Sequence, residues 1–247
     1  MQTVAFKQSL ILWIMGLLGV LSLLITPMPI SIFPAEIQRK INPETFKYLM
    51  LINPIIMVTL AILIGHFITA KVGLHAFILE KVIQGKGISK EAVKDLLIFA
   101  IPCGMVTGIF FLIYTYLMIP YLPKELTELD KIFQPNFLTR FLYGGITEEI
   151  LMRWGIMSLF IWLFKLIFKD TKPLFWWWSI LMSAILFGMG HLPITHLLIK
   201  NFTPILTFYI VSSNALFGIL AGWLFWKKGL EYSIIAHVAA HCVLIFG

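Results

Sequence analysis

The chain has 247 residues, of which 60% are hydrophobic and only 13% are charged. A soluble domain carries about a quarter charged residues, so this composition excludes an ordinary soluble protein and indicates a helical membrane protein. The net charge of +7 is explained by Lys and Arg in the loops between spans, and no pattern typical of a nucleic-acid-binding module occurs. We therefore predict an all-α, polytopic transmembrane helical bundle that has the lipid bilayer, and no nucleic acid, as its partner.

Apolar runs of the length that crosses a bilayer recur along the whole chain. The fifth run opens with Trp176, Trp177 and Trp178, which are typical of the membrane–water interface. Pro193 predicts that its helix ends or kinks just after His191. In the sixth run, Gly218 and Gly222 have a spacing that permits close helix contact. We predict about seven spans, within a range of six to eight, at residues 8–27, 48–70, 94–120, 137–168, 174–195, 202–226 and 230–246.

The distribution of Lys and Arg predicts the orientation of the chain. The loops on the side of the N-terminus, including the polar connection 71–93, carry the excess of positive charge, which places the N-terminus in the cytoplasm. The compact chain carries no organelle signal that we recognise, so we expect a multi-pass protein of a prokaryotic plasma membrane. We divide the chain into N-terminal helices and loops, 1–136, and a helical core, 137–247, within one structural domain.

Two adjacent carboxylates and a guanidinium interrupt the fourth apolar run, in the stretch YGGITEEILMRWGIM. Glu149 and Arg153 are four residues apart, so on a helix they share one face and can form an ion pair. Glu148 points about 100° away and is free to face a cavity. Charged groups inside a membrane are costly and often functional, although a purely structural buried ion pair remains the alternative.

Three histidines accompany these charges in later spans. His191 lies near the end of the fifth span, and His237 and His241 share one face of the seventh. A glutamate and these histidines could activate a water molecule and stabilise an oxyanion, which peptide hydrolysis requires. Two histidines four residues apart, a third histidine and a glutamate could also form a zinc site, so zinc stays open as a minority alternative to catalysis without a cofactor.

The three motifs resemble those of a known family. The segments EEILMR, FGMGH and HVAAH match Glu-Glu-x-x-x-Arg, Phe-x-x-x-His and the place of His-x-x-x-Asn or Asp, in this order. They make the region from Tyr143 to Cys242 similar to the CPBP family of intramembrane glutamic proteases. This family includes type II CAAX prenyl endopeptidases and bacteriocin-processing or immunity proteins.

The resemblance implies a role for each catalytic position. Glu148 corresponds to the catalytic glutamate, which with His191 would hold and activate a water molecule. His237 corresponds to the histidine that faces the oxyanion. His241 occupies the place of the family's Asn or Asp, and a histidine can still donate a hydrogen bond there. Glu149 and Arg153 fill the supporting places of the first motif, and Phe187 is the aromatic residue of the second, interpreted as packing.

The resemblance therefore implies an intramembrane endopeptidase without a cofactor. Its partner would be a peptide or lipidated-peptide substrate, of the prenylated CAAX type or the bacteriocin type. Two other classes stay open, namely a non-catalytic membrane partner or immunity protein and a proton-coupled transporter, because buried Glu, Arg and His also mark ion paths. If the three motifs are to meet at one depth of the membrane, we expect a broken or re-entrant helix within 194–212, next to Pro193 and Pro204.

Overall fold

The computed structural model describes residues 2–26, 35–40, 42–126, 128, 135–199 and 201–246. Every regular element within these ranges is helical. Six helical segments in these ranges are long and apolar enough to cross a membrane. The prediction of an all-α, multi-pass transmembrane bundle is therefore confirmed.

In the N-terminal half, a side-chain cap and a glycine mark the two ends of one long helix. The Asn42 side chain caps the helix Pro43–Val72 by accepting the backbone N–H of Glu44 at 2.9 Å, and Gly73 ends this helix in the left-handed region with φ 76°. The helices of this half are α1 (Gln2–Ser22), α2 (Ala35–Lys40), α3 (Pro43–Val72), α4 (Phe77–Ile83) and α5 (Lys90–Tyr121).

The C-terminal half contains all three motifs. Its last helix has 17 residues and spans about 25 Å, so the seventh predicted run is present as an apolar helix that is shorter than the other six. The helices of this half are α6 (Phe137–Phe168), α7 (Pro173–Gly190), α8 (Leu192–Leu198), α9 (Pro204–Lys228) and α10 (Leu230–Phe246).

The chain breaks its helical course at His191. Helix α7 ends at Gly190, His191 lies in the turn, and Pro193 occupies the first turn of α8. The predicted helix end after His191 is confirmed, because proline is accepted in the first turn of a helix but not in its interior. A second break separates α8 from α9, which begins at Pro204, so the predicted interruption within 194–212 is also present.

Helix α6 lies at the centre of the bundle. Its N-terminal part packs against α1 and α10, and its C-terminal part packs against α3. The buried Thr147 hydroxyl donates to the Gly16 carbonyl of α1 at 2.9 Å, and Gly155 lies against Ala61 of α3. Two further pairs, α5 with α10 and α7 with α9, complete the arrangement around it.

Helices α7 and α9 approach each other through small residues. A Cβ added at Gly218 would lie 2.8 Å from the Cβ of Ala184, and one added at Gly222 would lie 3.0 Å from a methyl group of Ile180. The close contact predicted for these two glycines is therefore confirmed, and it lies within one chain. Close backbone approach of this kind stabilises membrane helix pairs because dispersion contacts replace the hydrophobic effect there.

We predict that Gly218→Val separates α7 from α9 and destabilises the protein. Overpacking of a tight contact costs about 1–3 kcal/mol, so the melting temperature in detergent should fall by several degrees. Gly87→Val is the matched control, because a Cβ at this position meets nothing within 4 Å. Equal melting temperatures for the two variants would show that the α7–α9 contact does not need a glycine.

Candidate active site

The carboxylate of Glu149 is the centre of a buried polar cluster. Glu149 and Arg153 are fully buried, and Arg153 Nε lies 3.2 Å from Glu149 Oε2, so the predicted ion pair is present. The hydroxyl of Ser233 donates to the same carboxylate oxygen, and His237 Nδ1 lies 2.9 Å from the other, Oε1. Helices α6 and α10 are thus joined through one carboxylate with three partners.

Helix α6 is irregular where it carries this cluster. The residues Arg140–Thr147 and Ile150–Met157 form π-helical turns on either side of the two glutamates. The backbone N–H of Glu148 accordingly donates to the carbonyl of Tyr143, five residues earlier. Such wide turns are rare in proteins, and those that occur are frequently found at functional sites. They change the direction of the side chains that follow.

The ring of His237 is fixed on several sides. A carboxylate can only accept, so Nδ1 carries the hydrogen in the bond to Glu149, and Nε2 is left for other partners. The ring packs against Phe217, with centroids 4.1 Å apart, and stacks on His241 at 4.8 Å and 11°. The orientation and the tautomer of His237 are therefore determined by its neighbours.

His191 is held by the aromatic residue of its own motif. Its Nδ1 donates to the Phe187 carbonyl at 2.9 Å, and the two rings meet edge to face at 5.0 Å. The Phe187 ring also lies 5.5 Å from the Arg153 guanidinium carbon and meets His237 edge to face at 6.2 Å. Phe187 thus contacts the side chains of all three motifs and positions them, in addition to packing.

The guanidinium of Arg153 is incompletely hydrogen-bonded. None of its nitrogens has a well-aligned hydrogen bond among the described residues, although Nε is in ion-pair distance of Glu149. The face of Phe187 provides a cation–π contact. Arg153 therefore keeps donor capacity inside the site.

Glu148 differs from Glu149 in its surroundings. Its side chain is only partly buried, and within the described ranges it forms no hydrogen bond and no ion pair. It lies within electrostatic range of both Glu149 and Arg153. The structure thus brings Glu149, Arg153 and the histidines into one cluster, whereas no hydrogen bond joins Glu148 to any of those histidines.

His241 is the second member of the histidine stack on α10. Both of its ring nitrogens are buried, and neither has a hydrogen-bond partner in the described part of the chain. Its Nε2 lies against the Cα of Gly144 on α6, where any side chain would collide with it. Gly144 precedes Glu148 by four residues, so His241 contacts α6 one helical turn before this glutamate.

A cavity of about 160 Å³ lies beside the histidine stack, between α5, α7, α9 and α10. Its walls are mainly apolar, and Phe110 and Leu216 in its wall are also exposed on the outer surface of the bundle. The cavity therefore reaches the side of the protein that faces lipid. The polar side chains that line it are Thr107, Tyr114, Ser213, Asn214, His237 and His241.

Three residues of this site did not follow from the motifs. Ser233 precedes His237 by four residues, so the spacing along α10 could have indicated that it shares the face of the histidines. Phe217 and Asn214 carry no comparable signal, because their approach to the cavity depends on how α9 is rotated against α10. Among the described residues, no group of three His, Cys, Asp or Glu side chains is arranged to hold a metal ion.

Comparison with known proteins identifies the part of the chain that carries this site. Residues 132–243 match the family model described as type II CAAX prenyl endopeptidase Rce1-like. No curated protein and no solved structure was found to match the chain. The matched segment contains α6 to α9 and most of α10, and therefore every residue of the Glu149 cluster. We conclude that residues 132–243 form a domain of the Rce1-like family of type II CAAX prenyl endopeptidases.

Proposed function

We propose that this protein is an intramembrane endopeptidase that hydrolyses a peptide bond with a water molecule activated by glutamate and histidine. The observation that carries the proposal is the buried bond between Glu149 and His237, which orients a histidine towards a cavity inside a CAAX endopeptidase domain. A structural ion pair would need only Glu149 and Arg153. The oriented imidazole is the additional feature that peptide hydrolysis uses.

In this proposal the two glutamates have different tasks. Glu148 has free lone pairs and takes a proton from water, with His191 Nε2 as the second contact of that water. The hydroxide attacks the carbonyl carbon, and the carbonyl oxygen becomes an oxyanion. Glu148 then returns the proton to the amide nitrogen, the C–N bond breaks, and a carboxylic acid and an amine leave.

The stacked histidines face the developing negative charge. His237 already donates from Nδ1 to Glu149, so it can donate to the oxyanion from Nε2 only as an imidazolium. The Glu149 carboxylate stabilises that cation. His241 can donate from one ring nitrogen in its neutral form. Phe187 holds His191 in position through its backbone carbonyl and Arg153 through its ring.

The substrate in this proposal is a lipidated peptide or a largely apolar one. The family acts on prenylated CAAX-type peptides, and the apolar cavity reaches the lipid-facing surface beside Phe110 and Leu216. A lipid-anchored chain could therefore approach from within the bilayer, where its anchor remains in apolar surroundings. Bacteriocin-type peptides of similar apolar character fit the same argument.

We also propose a location and a division of the chain. The proposed location is the plasma membrane of a prokaryote, and the excess of Lys and Arg in the loops on one side supports an N-terminus in the cytoplasm. Residues 137–247 would form the catalytic core, and the helices within 1–136 would support it, since α1 and α3 pack against α6.

We predict that Glu148→Gln abolishes cleavage of a quenched, farnesylated CAAX-type peptide by the detergent-purified protein. The amide cannot accept the proton, so the rate should fall by about 10²-fold or more. The melting temperature should stay near that of the wild type, because Glu148 forms no hydrogen bond among the described residues. Glu91→Gln makes the same change at an exposed position of α5 and should be fully active. An active Glu148→Gln protein would contradict the proposed role of this glutamate.

Glu149→Gln should lose stability as well as activity. The substitution leaves the buried Arg153 guanidinium without its counter-charge, and breaking a buried pair costs about 3–5 kcal/mol. Thermal melting in detergent measures the loss, again with Glu91→Gln as the control. If Glu149→Gln melted like Glu148→Gln, the two carboxylates would not differ in the way proposed.

A strong zinc chelator should leave the activity of the wild-type protein unchanged. The reason is the arrangement of the potential ligands, since no three His, Cys, Asp or Glu side chains converge on one point in the described ranges. Cleavage is measured before and after chelation and after zinc is restored. Activity that is lost on chelation and recovered with zinc would instead place His191, His237 and His241 in a metal site.

A further inference from the structure

We propose that Asn214 of α9 is a catalytic residue that donates a hydrogen bond to the oxyanion of the scissile carbonyl group. The inference rests on the function proposed above and adds a residue outside the three motifs. It follows from the donor capacity of the side chains that line the cavity.

Most polar groups of the cavity wall already use their hydrogens within the protein. The Thr107 hydroxyl donates to the Cys103 carbonyl at 2.8 Å, and the Ser213 hydroxyl donates to the Ile210 carbonyl at 3.2 Å. Tyr114 shares its hydroxyl with Ser212 at 2.7 Å.

Asn214 has donor capacity left. Its Nδ2 donates to the Ile210 carbonyl of the preceding turn at 2.8 Å. A carbonyl oxygen only accepts, so this contact fixes which end of the amide is the NH₂ group. One N–H remains for another acceptor, and Asn214 lines the same cavity as His237 and His241.

The bond to Ile210 also holds the amide in place before substrate binds. Donors that are oriented in advance stabilise a transition state strongly, because nothing has to reorganise during the reaction. The partly apolar surroundings strengthen the effect, since little water competes for the N–H.

The histidines alone give an incomplete oxyanion site. His237 donates to the cavity only as an imidazolium, because its Nδ1 is used by Glu149. His241 offers one N–H when neutral. Asn214 donates in every protonation state of the site, so it supplies the second neutral donor that a tetrahedral oxyanion can accept.

The experiment compares Asn214→Leu and Asn214→Ala with the wild type on the farnesylated, quenched CAAX-type peptide. Loss of one oxyanion donor should lower kcat by about 10²- to 10³-fold and leave KM nearly unchanged. Both replacements are made so that the test still works if one of the two variants does not fold. Melting temperatures show which variants are folded. Thr207→Val is the matched control, because it removes a side-chain bond to the carbonyl four residues earlier on the same helix, at 3.3 Å, outside the cavity.

A second readout does not depend on turnover. A phosphonate analogue of the same peptide carries a tetrahedral anion, and its affinity should fall in proportion to kcat/KM in the Asn214 variants, as seen by tryptophan fluorescence. Unchanged kcat, or a loss that appears only in KM with phosphonate affinity retained, would overturn the role of Asn214. A wild-type protein that cleaves no peptide would overturn the proposed function itself, whereas an active wild type with unimpaired Asn214 variants overturns this inference alone.

Discussion

The pairing of Glu149 with Arg153 inside the apolar bundle is the constraint on which the rest of the structure depends. Both side chains are fully buried, and a charge in such surroundings must be matched or it destabilises the fold by several kcal/mol. The pair is matched, and the remaining acceptor capacity of the carboxylate is used by Ser233 and His237. In this way an electrostatic requirement for folding also determines the orientation of a histidine, so stability and the proposed chemistry depend on the same atoms.

Close helix contacts position this cluster. Glycines bring α7 against α9, and Gly104 of α5 lies directly against the Ala236 backbone of α10. These contacts set the distances between the helices that form the walls of the cavity. Because dispersion contacts are individually weak, the arrangement depends on many small fits rather than on one strong bond. The polar cluster orients the side chains of the site, and the tight packing fixes the distances between the helices that a preorganised site requires.

Relations along one helix could be predicted from the sequence, and relations between helices could not. The apolar runs, the Glu149–Arg153 pair and the helix end at His191 all follow from local spacing, from side-chain type or from proline chemistry. The bond from Glu149 to His237 joins two helices across 88 residues of sequence, so no local periodicity of the sequence indicates it. In the π-helical turns of α6, a backbone N–H reaches the carbonyl five residues earlier instead of four. The sequence does not indicate this choice, because it depends on how α6 packs against its neighbours. The motif resemblance could identify the residues of the site but not their mutual contacts.

The face-to-face stack of His237 on His241 has a consequence for the charge of the site. Two imidazole rings 4.8 Å apart in an environment of low polarity repel each other strongly if both are protonated. A charge on one ring therefore disfavours a charge on the other, and of the two rings only that of His237 contacts the Glu149 carboxylate. The two rings on this face of α10 thus have unequal surroundings, an asymmetry that arises from their neighbours and not from any difference between the two side chains.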